Sequence, residues 1–435
     1  MIESSSPLTN LGDEAILSSN VQIFKNSLSD CKIIVLSPLP EETGKAHNVF
    51  SKPNFMALVG KWSKIRGRLK VIWLGLRLLW NAKRLKNGKR LKLLNRNEAE
   101  FLRAFLDCDV FFIVGGSNFN DISPWGGLFS RGIQITLAKI LGKPVFLGAQ
   151  TVGPLRKKWT KMFTRIILEK PDLITLRDSN SYFLLRKIGV KNPRIKVVSD
   201  DAFDIKPIDQ EKAIELLLKE KIDIRKLNEI GIITVGFNAR PWWKRRVRAW
   251  KRKRSEKIKN VLLKIVDFFM RDKRFYLVFV PTSYREYSRG FDDAEGAREL
   301  IQRLKLSEDK VKVLENKYNW QEIRAILGLF DLVLAVSYHS AVFAMSMGTP
   351  TIGLYQDEYY RMKLQGLFKM MNVEEFAIDI TKTTIKEIVP KINQLLECRD
   401  EMREELSRET NQIKSNTCFA AKQLIHYLNT KTPVS

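Results

Sequence analysis

The chain has 435 residues, with 75 Lys and Arg against 48 Asp and Glu, a formal charge of +27 and 44% hydrophobic residues. Such a composition builds cores and excludes a disordered polar chain, and the length suggests two domains rather than one. Cys31, Cys108, Cys398 and Cys418 are too few and too scattered for a disulfide framework, and His47, His339 and His426 offer no metal spacing, so a reducing compartment and no metal are expected.

The chain opens MIESSSPLTNLGDEAIL, without the basic start and apolar stretch of a secretory signal. No window holds about 18 uncharged apolar residues, so no spanning helix is expected. The expected location is the cytoplasm, including the inner face of the cell membrane. Residues 61–92 carry twelve Lys or Arg and no acid. Within them Trp62, Ile65, Leu69, Ile72, Trp73, Leu76, Leu79 and Trp80 recur at helical spacing among Lys61, Lys64, Arg66, Arg68, Lys70 and Arg77. Two readings stand side by side: an amphipathic helix at the boundary of an anionic bilayer, and a domain helix with its apolar side on a core.

From 109 to 204 apolar strands alternate with helical patterns: DVFFIVGG, then RGIQITLAKILG, KPVFLGAQTVGP, a helix near 157–169, DLITLRD, SYFLLRKIG and IKVVSDD. A polar run at about 206–228, with a short helix inside it, leads to a second succession. It contains GIITVGFN, a helix near 255–271, FYLVFVP, a helix near 293–305, VKVL, WQEIRAILGLF, DLVLAVS, SAVFAMSMG and TPTIGLY. Between them RPWWKRRVRAWKRKR, residues 240–254, mixes Trp242, Trp243 and Trp250 with nine cations. It suits a polyanion, a membrane surface or nucleic acid; nothing else resembles a nucleic-acid module, which disfavours that partner. Residues 384–428 read as two C-terminal helices.

The βα order predicts an α/β protein with two Rossmann-like doubly wound domains facing a shared cleft: residues 1–207 and 208–383, followed by C-terminal helices over 384–435. Ligands of open sheets bind beyond the carboxyl ends of strands, so the loops there hold the candidates. Gly115, Gly116 and Asn118 follow the first strong strand, where a glycine backbone can approach an anion or merely turn. Gln150, Thr151 and Gly153 follow the next. DLITLRD ends in Arg177 and Asp178; the arginine can fork a carboxylate or phosphate, or form an ion pair with Asp178. Ser337, Tyr338 and His339 stand where a strand passes into a helix, and there a histidine can bind an anion, pass a proton, or simply pack. Lys363 follows the last strand, near Tyr355, Tyr359 and Tyr360.

In order along the chain, NLGDEAIL, DVFFIVGGSNFND, AQTVGP, ITLRDSNS, VSDDAF and VSYHSAVFAMSMGTPTIGLY, with the later Lys363, resemble the polysaccharide pyruvyl transferases over residues 10–363. The resemblance implies a fold like the GT-B glycosyltransferases and metal-independent transfer of pyruvate, without a cofactor, from phosphoenolpyruvate to a sugar of a cell-surface or lipid-linked glycan, forming a cyclic ketal. It implies that Arg177, in the family's RD motif, holds the donor's anionic groups. His339 would contact the donor and move a proton, while Gly115, Gly116, Gln150 and Gly153 shape the site and Lys363 adds an anion contact. That chemistry needs a proton at the vinyl carbon, a base for the hydroxyl, and cations.

The sequence departs from the family in three places. The family's Arg-Leu-His is Ser337-Tyr338-His339 here, so Lys363, Arg361 or Arg240 is expected to replace the arginine. The apolar strand that usually precedes NLGDEAIL is replaced by MIESSSPLT, so a central strand is expected to be missing, either because the true start lies upstream or because the first sheet has lost it. Asp201 stands where proline is common. A nucleotide-sugar glycosyltransferase and a non-catalytic basic protein that binds anionic lipid or nucleic acid are the alternatives.

Overall fold

Strands that are apolar on both sides must be covered on both faces, as the strands of parallel sheets are. The computed structural model describes residues 1–4, 10–60, 64–241, 249–284, 292–307 and 309–430, without the side chains of 64–66 and 249–254. Its strands fall into two units, one comprising residues 1–8, 16–201 and 416–435, the other 9–15 and 202–415. The division comes after residue 201 rather than 207.

The first unit holds β1 (Ile2–Glu3), β2 (Ile34–Ser37), β3 (Phe50–Pro53), β4 (Phe111–Ile113), β5 (Gly116–Phe119), β6 (Val145–Val152), β7 (Leu173–Leu176) and β8 (Ile195–Val197). All pair in parallel in the order β3-β2-β1-β4-β6-β7-β8, with β5 beside β6. Its helices are α1 (Leu11–Ser27), whose first turn belongs to the second unit, α2 (Pro40–His47), α3 (Phe55–Val59), α4 (Lys64–Lys86), α5 (Arg96–Asp107), α6 (Ser130–Ile140), α7 (Lys158–Leu168) and α8 (Ser179–Lys187). The expected gap in the sheet is filled: β1 is only two residues long, yet Ile2 pairs with Val35 and Phe112, and Glu3 with Leu36 and Ile113, at the sheet's centre. Periodicity could not show so short a strand, and half of it is a carboxylate. Glu3 is fully buried, 2.9 Å from Arg131, and burial lifts its carboxyl to about 7 although Arg131 and Gln134 pull the other way.

The second unit begins with α9 (Gln210–Lys219) and α10 (Ile224–Glu229). It continues through β9 (Ile233–Asn238), α11 (Ala249–Arg271), β10 (Phe275–Phe279), α12 (Asp293–Leu304), β11 (Val311–Val313), α13 (Trp320–Gly328), β12 (Leu332–Ala335), α14 (Tyr338–Met345), β13 (Thr351–Tyr355), α15 (Glu358–Met370) and β14 (Ala377–Asp379). The strands run in parallel in the order β11-β10-β9-β12-β13-β14. Both sheets are therefore doubly wound, as the alternation predicts. The basic stretch at 240–254 lies outside the described residues except for Arg240, Pro241 and the backbone of α11.

Residues 384–435 do not form a separate part. Three helices replace the expected two: α16 (Ile385–Glu397) and α17 (Arg399–Lys414) belong to the second unit, and α18 (Phe419–Thr430) to the first. α18 packs on β6 and β7, and Asp201 ties down the residue before it. The Asp201 Oδ2 accepts from Asn20 of α1 at 2.9 Å and its Oδ1 from the Cys418 N–H at 2.8 Å, all three residues being buried. A proline at 201 has no such acceptor. Asp201→Ala removes an acceptor shared by two buried donors and is expected to cost about 2–4 kcal/mol, read as a lower melting temperature.

Candidate functional site

An open parallel sheet parts its loops where the strand order reverses, and ligands bind in the crevice formed there. In the second sheet this point lies between β9 and β12. Arg240 follows β9, and Ser337, Tyr338 and His339 follow β12. The Ser337 N–H donates to Asn238 Oδ1 at 3.0 Å, which fixes the turn into α14. His339 is 5% exposed, edge-on to the Tyr338 ring at 5.0 Å between centroids.

The opposite side of His339 is set by the start of α1. The Leu11 N–H donates to Thr282 O at 3.2 Å, and Asn10 bridges to Ser283. This brings Gly12 against the imidazole so closely that a β-carbon at Gly12 would overlap the His339 ring. The glycine of NLGD and the histidine of SYH, far apart in sequence, are thus two halves of one packing contact. Lys363 of α15 lies over Tyr338 and Tyr359, its Nζ 5.2 and 4.9 Å from their ring centroids.

Arg240 is 12% exposed and its Nε donates to Asp293 Oδ1 at 3.2 Å. Burial opposes its charge, but Asp293 and the Tyr360 hydroxyl outweigh burial and hold the guanidinium above its usual range. Asp293 Oδ2 accepts in turn from Asn238 Nδ2 at 2.9 Å and from the Thr282 N–H at 3.1 Å, and Thr282 Oγ1 lies 3.2 Å from Ser340 Oγ. A continuous polar network therefore runs from Arg240 to the residue beside His339. Of the three cations expected to replace the family's arginine, Arg240 and Lys363 join this group, while Arg361 is exposed and bonds Gln365 on its own helix. Asp293 and Gly12 were not singled out in the sequence. The signal for Gly12 was present, a glycine inside a helix-forming motif.

The first sheet reverses between β1 and β4, and Gly115 and Gly116 follow β4. Gly116 has φ +151°, a conformation open to glycine, and a β-carbon at Gly115 would press on Ala149 O and Ile16. Asn118 is half-buried on β5. Gln150 is fully buried and donates to Val114 O and Gly148 O at 2.8 and 2.7 Å, tying β6 to β4. Gly153, φ +112°, donates to Phe119 O at 2.8 Å.

Arg177 departs from its expected use as a ligand fork. Its side chain is 1% exposed, NH1 lies 2.5 Å from Asp200 Oδ2, and Nε donates to Thr151 Oγ1 at 2.8 Å. The alternative ion pair is what forms, with Asp200 rather than Asp178 as its carboxylate. Asp178 instead caps α8, accepting from the Ser181 N–H at 2.7 Å, its hydroxyl at 2.8 Å and Thr151 Oγ1 at 3.0 Å. Burial raises the Asp178 carboxyl despite these bonds and the Arg177 charge. Thr151, Arg177, Asp178 and Asp200 form one buried set that supports the loops. A cavity of about 710 Å³ lies at the other end of this sheet, at the amino ends of β1 to β4 beside Met1, Lys32, Phe50 and Asp109, away from these loops.

Among the described residues no cluster of three His, Cys, Asp or Glu could hold a metal, and no helix is long and apolar enough to cross a membrane. Two doubly wound parallel sheets, with polar groups gathered at their switch points, define a GT-B-like α/β fold. Solved structures of similar fold include Anabaena Alr3699/HepE in complex with UDP-glucose, with a TM-score of 0.55, 13% identity and 99% of each chain covered. Another is S. aureus MnaA with UDP, with a TM-score of 0.57, 11% identity and 99% of this chain and 96% of that one covered. The chain belongs to the polysaccharide pyruvyl transferase family, whose sequence model matches residues 10–358. The amylovoran biosynthesis protein AmsJ of Erwinia amylovora is 25% identical over 318 residues, 72% of each chain.

Three substitutions probe this geometry without any substrate. Gly12→Ala is expected to cost about 1–3 kcal/mol through overpacking, and His339→Ala in the same chain to restore part of it. Melting curves of the two single variants and the double variant read that coupling. Arg177→Met buries Asp200 without this cation and is expected to cost about 3–5 kcal/mol. A ligand-contacting arginine would instead lose binding with its melting temperature unchanged.

Proposed function

We propose that this enzyme transfers pyruvate from phosphoenolpyruvate to a sugar of a cell-surface or lipid-linked polysaccharide, joining it as a cyclic ketal and releasing inorganic phosphate. Family membership and the relative named for amylovoran biosynthesis support the polysaccharide. The observation that carries the mechanism is the seat of His339, a proton-carrying side chain held on Gly12 at the switch point of the second sheet, with Lys363 and Arg240 in the same group.

In this reading His339 delivers a proton to the vinyl CH2 of the donor. The neighbouring carbon becomes cationic and one sugar hydroxyl adds to it. The second hydroxyl of the same sugar then displaces phosphate, closing the ring, and the two hydroxyl protons pass to His339 and to the departing phosphate. Arg240 and Lys363 supply positive charge for the donor's carboxylate and phosphate, the part played in the family by the arginine that Ser337 replaces. Arg177, buried against Asp200, acts through Thr151 and Asp178 as a positioning residue. No step draws on a cofactor.

Purified protein incubated with phosphoenolpyruvate and a panel of glycan acceptors is expected to release phosphate only when an acceptor is present. His339→Ala should lower kcat by about 10²–10⁴-fold in a chain that still melts cooperatively. Full activity of that variant would remove His339 from the chemistry. Turnover of a UDP-sugar in place of phosphoenolpyruvate would overturn the donor.

A further inference from the structure

Helix α4 has two apolar faces. Val71, Leu74, Leu78 and Ala82 are buried in the first unit's core. The stripe that stands out in the sequence lies mostly on the other side: Leu69, Trp73, Leu76 and Trp80 are 53%, 66%, 57% and 45% exposed. These four positions run about 17 Å along the helix at 1.5 Å per residue. Leaving so many large apolar groups in water is unusual for a surface that nothing covers.

A second helix, some eighty residues further on, repeats the pattern. On α7 Trp159, Met162 and Ile166 are 38%, 62% and 52% exposed, again at helical spacing. The two helices are joined through α6, which packs against both. Gly75 gives Ile133 the room to pack on α4, and Gly132 gives Phe163 the room to pack on α6. A shallow groove lined by Ile72, Leu76, Ile133 and Phe163 runs between them. Phe129 stacks on Phe163 at 5.0 Å, and Trp125 lies 5.9 Å from Trp159, continuing the apolar surface.

The charged side chains that α4 and α7 carry here have one sign. Arg68, Lys70 and Lys83 of α4 are exposed, as are Lys157, Lys158, Lys161 and Arg165 on and beside α7, and neither 61–92 nor 156–166 contains an acid. We propose that α4, α6 and α7 form a docking face for an anionic lipid bilayer, with the Trp, Leu, Met and Ile side chains entering the interface and the Lys and Arg side chains reaching the headgroups. Charge complementarity selects this occupant. A second copy would set two cationic rims together, and nucleic acid would leave Leu69, Leu76, Met162 and Ile166 with nothing to pack on, since bases stack on rings. The face suits an enzyme whose acceptor is lipid-linked, but it stands on exposure and charge alone.

The test is co-sedimentation with phosphatidylcholine vesicles, with or without about 30% phosphatidylglycerol, at about 0.15 M salt. Binding to the anionic vesicles is expected to be about tenfold tighter or more, and to fall about tenfold in Trp73→Glu/Leu76→Glu, in Met162→Glu/Ile166→Glu and in Lys158→Glu/Lys161→Glu. All six side chains except that of Lys161 and Lys158 are apolar and all are exposed, so melting temperatures should stay at the wild-type value; the α7 variants test the face even if the α4 variant folds poorly. Unchanged sedimentation of the variants, or equal binding to neutral vesicles, would overturn the proposal. So would a dimer in light scattering that the same substitutions dissociate, or polynucleotide binding that they abolish. No donor or acceptor enters this assay, so its failure leaves the transferase reading standing, and loss of phosphate release leaves the docking face standing.

Discussion

A parallel strand can be followed by another only through a crossover that covers one face of the sheet, and covering both faces forces the strand order to reverse once. At that reversal neighbouring loops leave in opposite directions and the strand ends are left open. The second sheet reverses between β9 and β12, and this places Arg240, Ser337, Tyr338 and His339 at one location although about a hundred residues separate them. The start of α1 closes the group, because only a residue without a side chain can lie where Gly12 meets the imidazole. The chemistry proposed for this enzyme depends on that contact, since a histidine free to turn would lose the geometry for moving a proton.

Buried charge is the second organising device. Glu3 with Arg131, Arg177 with Asp200 and Arg240 with Asp293 each place a cation and a carboxylate out of water. Arg324 is buried too, donating to Phe203 O at 3.1 Å and to Ile205 O, and burial draws its guanidinium down to about 10. Such pairs add little net stability, but removing one partner strands the other, so they resist alternative arrangements of the loops that hold them. Arg177 and Arg240 differ in an instructive way. The first is enclosed at 1% exposure and braces a loop; the second keeps 12% of its side chain exposed at a switch point, where a ligand's charge can reach it.

Family, fold class and most strands were legible in the sequence, because apolar runs of four to eight residues separated by helical periods have few other solutions. β1 was not legible: two residues, one of them Glu3, carry no period, and only pairing with β2 and β4 makes them a strand. The destination of α18 was equally hidden, since it rests on contacts with distant segments: the helix packs on β6 and β7, and Asp201 meets Asn20 and the N–H of Cys418 just before it. His339 and Lys363 could be singled out in the sequence because each follows a strand. Their neighbours Gly12 and Asp293 come from distant segments, and no local pattern connects them.

By itself the sequence determined that this is a two-sheet α/β enzyme of the pyruvyl transferase family with strongly basic helices, because period, composition and ordered motifs are properties of the chain read in line. Only the tertiary structure decided which side of α4 meets the core, which carboxylate Arg177 pairs with, and which cations stand near His339. Those choices depend on burial and on contacts between residues far apart in the chain, which exist only once both sheets have formed.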